Sequence, residues 1–354
     1  MKIRGIVFKG NREAELKEFE ISAIGRGQVL IKTIMSTICG SDLHFYRAPP
    51  EELGLRRNLI AGHEAVGIIY DISGDENEFL RKGDRVIAFH RTGCFKCKMC
   101  KKGWPQYCEN GMSSTLVLGQ LFKPWRSSGT FADYFLAPIE VIFKVPNEID
   151  NETASILSCN GITAYQIIRD LGVNDSSSVA ITGLGPLGLV AATFLREITD
   201  NIIGIEINEN RLKLAEKIGI NKLIRYHSNI NIENEIRRLN DGSLVDIGID
   251  FSGSAEAIRT LIKIVRGRGK IGLIGIGGSL HNATLDILSI IDKSLQLQGV
   301  LVGNMYNMYD LIDFVIKHKI SLKPIVTHKF SLEEYKEAFK IADSGNYGKV
   351  AFIF

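Results

Sequence analysis

Two patterns of apolar and polar positions divide the chain near residue 160. Before that point, short runs rich in β-branched residues, at 28–38, 65–72 and 84–89, are separated by Gly, Asp and Pro. Such punctuation predicts mostly antiparallel strands in a barrel-like arrangement. After it, compact apolar runs at 179–182, 202–206, 246–250 and 270–275 alternate with amphipathic stretches of helical period. Strands apolar on both faces with helices between them predict a doubly wound parallel sheet with right-handed crossovers. Beyond residue 300 come two more helical patterns and an apolar run at 350–354, and pattern alone does not assign them to either region.

Composition agrees with two globular domains. The 354 residues are 45% hydrophobic and 23% charged, which excludes a disordered or fibrous chain. Lys and Arg number 43 against 40 Asp and Glu, a formal charge of +3 that supplies no basic surface for nucleic acid or an acidic membrane. The opening residues carry Lys2, Arg4, Lys9, Arg12 and Glu13, which interrupt any secretory signal, and no apolar run approaches the roughly 18 residues of a membrane span. The expected address is the cytoplasm.

The clearest chemistry lies in the cysteines. Cys94, Cys97, Cys100 and Cys108 form C-x2-C-x2-C-x7-C in a lysine-rich stretch. Four thiolates so close suit one tetrahedral zinc with no open position, hence a structural ion; disulfides or an iron–sulfur cluster are the alternatives. The other two, Cys39 and Cys159, are far apart in sequence, with Gly62-His63-Glu64 between them. Cys39, His63 and Cys159 make a Cys₂His set of the kind that binds a catalytic zinc and leaves its fourth position open.

A second motif follows the run at 178–182: Gly183-Leu184-Gly185-Pro186-Leu187-Gly188, opening a helical pattern. In G-x-G-x-x-G after a strand, the glycines permit a tight turn, close approach of backbone to a pyrophosphate, and close helix–strand packing. Glu206 ends the next strand 18 residues past Gly188, near the offset expected of an acid that binds the adenosine ribose and repels a 2′-phosphate. NAD is therefore the expected cofactor, with Arg211 keeping NADP possible.

Taken together, these motifs make the whole chain resemble the zinc-dependent medium-chain alcohol dehydrogenases. Cys39-Gly40-Ser41-Asp42-Leu43-His44 is similar to the first-ligand motif of that family, Gly62-His63-Glu64 to the second, and the segment Leu157-Ser158-Cys159-Asn160-Gly161-Ile162-Thr163 to the third. The resemblance implies an α/β fold, with a GroES-like β-barrel catalytic domain from residues 1–160 and 300–354 and an inserted Rossmann domain from 161–299. It implies two zinc ions per chain, and cofactor contacts by Thr163 on the nicotinamide side, by Ile274, and by Lys349 at the pyrophosphate. It also implies a proton relay from Ser41 to His44, a Glu64 able to approach the metal, and Asp42 holding the second nitrogen of His63.

Within the family, the resemblance points to the threonine- and polyol-dehydrogenase-like branch, on residues 38–46 and 324–330. Members of that branch usually carry Glu as third zinc ligand, whereas this chain offers Cys159. The expected reaction is oxidation of a secondary alcohol (polyol, sugar, diol or amino-alcohol) by hydride transfer. A primary-alcohol enzyme and a non-catalytic NAD- and zinc-binding regulator are the other readings. The family further implies a homotetramer or homodimer paired through the sheet edge at 295–302, with Leu297 buried between subunits. The stretch 116–128, with Phe122, Trp125 and Arg126, is expected to shape the pocket or to be a surface loop.

Overall fold

The computed structural model describes residues 1–21, 24–74, 79–121, 127–276, 280 and 283–354; Phe122, Trp125 and Arg126 lie outside them. The chain divides into two units. The first comprises Met1–Ile162, Asn304–Gly345 and Lys349–Phe354; the second comprises Thr163–Gly303 and Asn346–Gly348.

In the first unit the strand Gln28–Thr37 is buried almost throughout because it has neighbours on several sides. It pairs antiparallel with Glu64–Ile72, Tyr134–Pro138 and Lys349–Ile353. Arg85–Ala88 and Ile142–Lys144 extend the sheet on one side, and Val326–Phe330 extends it on the other, parallel to Lys349–Ile353. A separate hairpin, Lys2–Gly10 with Glu13–Glu20, was not legible as such, because its second strand reads Glu-Ala-Glu-Leu-Lys-Glu-Phe-Glu and carries little core signal.

The carboxyl-terminal segment is held here by aromatic packing. Phe339, on the helix Tyr335–Ser344, lies 5.2 Å from Phe8 and 5.1 Å from Tyr46 between ring centroids, and Phe352 lies 5.2 Å from Phe131. Phe131, Phe339 and Phe352 are fully buried. Burying each ring stabilises the unit by roughly 1.5–3 kcal/mol, and ring pairing adds about 0.5–1.5 kcal/mol.

The second unit contains six parallel strands in the spatial order Lys222–Arg225, Ile202–Glu206, Val179–Thr182, Val245–Asp250, Val265–Leu273 and Gln296–Gly299. In chain order this is 3-2-1-4-5-6, the dinucleotide-binding arrangement, with the ligand crevice at the carboxyl ends of the central strands. Ile203, Val245, Leu261, Ile264, Val265 and Ile271 are fully buried in its core. The edge strand Gln296–Gly299 is shorter than the apolar run at 295–302 suggested, and all four of its residues are exposed.

Candidate functional site

The helix Gly40–Arg47 begins at Cys39, whose extended backbone leaves its amide free for a cap. Asp42 supplies it: Oδ2 accepts from the Cys39 amide at 2.9 Å, while Oδ1 lies 3.0 Å from Nδ1 of His63. One buried carboxylate thus caps the helix and orients the imidazole, leaving Nε2 of His63 as the ring nitrogen that could bind a metal. Cys159 arrives from a π-helical turn, Leu157–Gly161, of the kind that recurs at functional sites. One ligand atom each from Cys39, His63, Glu64 and Cys159 lies within 4.8 Å of the others.

Glu64 is set apart from the other three by its partners. Its Oε2 accepts from Thr37 Oγ1 at 2.6 Å and its Oε1 from Asn160 Nδ2 at 2.9 Å. Lys349 forms an ion pair with Oε2 and also donates to the Ile38 carbonyl at 3.1 Å, with no part of either charged side chain exposed. Lys349, expected at a cofactor pyrophosphate, is thus directed inward. The physical reason is the buried carboxylate, which needs a counter-charge more than solvent-exposed backbone does.

The electrostatics fit a cation between the sulfurs. The Cys159 thiol, Lys349 and His63 together hold Cys39 well below the ordinary thiol range, against its burial. Cys159 is raised well above that range by Cys39 and by burial, so Cys159 is the proton-bearing partner of an ionised Cys39. Burial disfavours a charged His63, but Asp42 and Cys39 outweigh it and raise its pKa well above the usual value. Burial pushes Glu64 up to about 7 despite Lys349. Cys₂His donors with these interactions are the set expected of a zinc site with one open position.

Two more side chains border the cluster. Ser41 Oγ lies 3.4 Å from His63 Nε2, and His44, one helical turn on, is exposed. His90 was not singled out from the sequence, where it is a lone histidine at the end of a strand. Its Nδ1 lies 3.2 Å from the Ser158 carbonyl and its Nε2 3.9 Å from Cys159 Sγ. Burial, followed by the charges of His63 and Arg91, pushes it down to about 3, so the ring is neutral.

In the cysteine lobe, ligand atoms of Cys94, Cys97, Cys100 and Cys108 also lie within 4.8 Å of one another, and none of the six cysteines is in a disulfide. Amides of Lys96 and Cys97 donate to Cys94 Sγ at 3.4 and 3.3 Å, and Asn110 Nδ2 donates at 3.3 Å. The two amides pull Cys94 down to about 6, whereas burial and Cys97 raise Cys100 to about 12. The four sulfurs fit one tetrahedral zinc and leave no donor position for a substrate.

The glycine motif lies in the second unit, after Val179–Thr182. Gly183 has φ +85°, and a Cβ on Gly188 would run into the Gly183 carbonyl, so both positions require glycine. Pro186 and Leu187 open the helix Pro186–Leu195, whose first amides have no intrahelical acceptor. Glu206 is nearly fully buried. Its oxygens accept from the amides of Leu184, Ile207 and Asn208 at 2.7–3.0 Å and from Arg211 Nη1 at 3.5 Å. These four donors occupy its lone-pair sites, so a ribose diol would have to share them, and Arg211 makes the longest contact. The buried Nε of Arg211 has no acceptor among the described residues, and no side chain at Gly185 stands between it and the motif. Thr163 and Ile274 are buried, in the first turn of the helix Ile162–Leu171 and just after the strand Val265–Leu273.

Comparison with known proteins extends these observations. A family profile described as an alcohol dehydrogenase GroES-like domain matches residues 25–147, and a zinc-binding dehydrogenase profile matches residues 186–317. An L-threonine 3-dehydrogenase of Escherichia fergusonii is 30% identical over 330 residues, 92% of each chain. Among solved structures, an alcohol dehydrogenase from Thermus sp. ATN1 superposes with a TM-score of 0.88 at 22% identity over 99% of both chains. A 2R,3R-butanediol dehydrogenase from Bacillus subtilis gives 0.84 at 20% identity over 99% of both.

Proposed function

The chain belongs to the zinc-dependent alcohol dehydrogenase family, and from that premise we propose that it oxidises a secondary alcohol to a ketone with NAD as hydride acceptor. The observation that supports this most strongly is the convergence of Cys39, His63 and Cys159 in a buried cluster where Glu64 is already paired with Lys349. When bound, zinc supplies the Lewis acidity that eases loss of an alcohol's hydroxyl proton, and NAD supplies the hydride acceptor. Cys39, His63 and Cys159 would hold the metal, and the four lobe cysteines a second, structural one.

The chain's own residues do the rest. Asp42 keeps the proton on Nδ1 of His63, which frees Nε2 to bind. Lys349 neutralises the Glu64 carboxylate, which would weaken it as a competing donor to the metal. Ser41 Oγ, beside His63 Nε2, would accept the hydroxyl proton while releasing its own, and His44, exposed one turn further along the same helix, would hand that released proton to solvent. Neutral His90 lines the buried side without adding charge. In the cofactor site, Glu206 and the motif glycines receive the adenosine half. Arg211 is drawn to Glu206 and so is not free for a 2′-phosphate, which favours NAD.

The name of the threonine 3-dehydrogenase relative places its reaction at a secondary hydroxyl, which supports secondary alcohols here. Cys159, where that branch usually has Glu, supports the second reading, a primary alcohol. The test is the rate of NADH appearance on polyols, aldoses, butanediols, L-threonine and ethanol, with NADP in parallel. Turnover of a secondary alcohol with NAD supports the proposal. Ethanol as the best substrate selects the second reading, and NAD binding without turnover of any alcohol contradicts both.

We place the reaction in the cytosol, where six cysteines outside any disulfide are stable. Among the described residues no helix is long and apolar enough to cross a membrane. Subunits would pair through the edge strand Gln296–Gly299. Leu297 is 36% exposed there, and Ile287, Leu288 and Ile291 on the helix Ile287–Asp292 are more than half exposed. Leu297→Asp is expected to lower the mass measured by light scattering; an unchanged oligomeric mass would contradict this pairing.

A further inference from the structure

The second unit has a cavity of about 190 Å³ at the amino-terminal edge of its parallel sheet, the opposite edge from the glycine motif. It lies where Val179–Thr182, Val245–Asp250 and Val265–Leu273 begin or enter the sheet, and Arg266, Arg268 and Lys270 line it together with Ser176 and Ser177. Asp246 is the one carboxylate in the lining. Its Oδ1 accepts from Arg266 Nε at 2.6 Å, and its Oδ2 from the amide and hydroxyl of Ser178 at 2.8 and 2.7 Å.

Among the described residues, two cations of the lining are left without a counter-charge. Lys270 Nζ donates to the Leu171 carbonyl at 2.6 Å, a neutral acceptor that leaves its charge uncompensated. The Arg268 guanidinium has no hydrogen-bond or ion-pair partner among the described residues. Arg268 also has φ +59°, a backbone region that favours glycine, although glycines flank it at 267 and 269. The chain therefore places an arginine, at a conformational cost, beside a concave surface that already holds a lysine.

We propose that this cavity is an anion site, distinct from the cofactor site, for a doubly charged tetrahedral oxyanion, either inorganic phosphate or the phosphate of a small monoester. Arg268 supplies a planar fork of donors suited to phosphate oxygens, and Lys270 supplies a point charge. The cavity is below the roughly 300 Å³ at which pockets for drug-sized ligands begin, so the phosphate group itself, not a dinucleotide, sets the fit. Binding here would stabilise the second unit by mass action without occupying the glycine motif.

The experiment uses the full chain saturated with NADH, so that phosphate cannot report on the glycine motif. Thermal unfolding is followed with inorganic phosphate, with glycerol 3-phosphate, and with chloride at equal ionic strength. Phosphate at about ten times its Kd is expected to raise Tm by roughly 3 °C beyond chloride. A larger response to glycerol 3-phosphate identifies a monoester, and a larger response to inorganic phosphate identifies the free ion; both support the site. Arg268→Gly is expected to fold at least as well as the parent, since glycine suits φ +59°, yet to lose the phosphate-specific shift. Lys270→Gln is expected to lose it as well, and Arg268→Lys to keep part of it. An equal shift in Arg268→Gly, or no excess over chloride in the parent, overturns the proposal.

Discussion

The cysteine lobe and the Cys39 cluster draw on the same donor chemistry but are assembled in opposite ways. In the lobe, four sulfurs from positions 94–108 are brought together by local turns, and backbone amides already donate to Cys94 and Cys97. The Cys39 cluster gathers side chains from positions 39, 63 and 159, and its neutralising lysine from 349. A local site needs little besides its own segment, so its changes should stay local. A site assembled by the whole sheet depends on buried partners, and damage to one of them reaches both stability and metal binding.

The sharpest break between the two is Cys159→Ala. Turnover is expected to fall more than about 100-fold, because loss of an outer partner alone costs a metal site about 10–100-fold. Next is Lys349→Met, which leaves Glu64 buried without its counter-charge. Urea unfolding is expected to show a loss of about 3–5 kcal/mol. Adding Glu64→Gln, which keeps acceptors for Thr37 and Asn160, is expected to restore most of it; an unchanged midpoint in the single variant would mean that the pair carries no such load.

Asp42→Asn acts more gently, since the amide still packs in place while the grip on His63 Nδ1 weakens. Zinc affinity, measured by competition with a chelator, is expected to drop about 10–100-fold at the Cys39 cluster and to stay constant in the lobe. The smallest effect belongs to the lobe. Asn110→Ala removes one donor to Cys94 Sγ and is expected to cost less than about 1 kcal/mol, with both metals retained. A large loss of lobe zinc in that variant would show that the local segment is not self-sufficient.

The same contrast explains what could be read from the sequence. The lobe spacing and the glycine motif are short-range patterns, and strands at 179–182 and 202–206 have the bounds that their apolar runs suggested, because both faces of each are buried by helices. The partner of Lys349 was not legible: a buried ion pair 285 residues apart leaves no periodic trace, and a lysine near a chain end reads as surface. His90 was missed for a related reason, since only the fold carries the strand Arg85–Ala88 up to the turn at Leu157–Gly161. Glu206 stands between these cases. Its position follows from the offset, but its saturation by three backbone amides depends on how the turn after the strand closes.

The most direct test of two metal sites with different duties is zinc content per chain in the parent, Cys159→Ala and Cys94→Ala, measured beside NADH formation. The account predicts two zinc ions in the parent and one in each variant, with turnover abolished in Cys159→Ala and retained in folded Cys94→Ala. Two ions and full turnover in Cys159→Ala would contradict it.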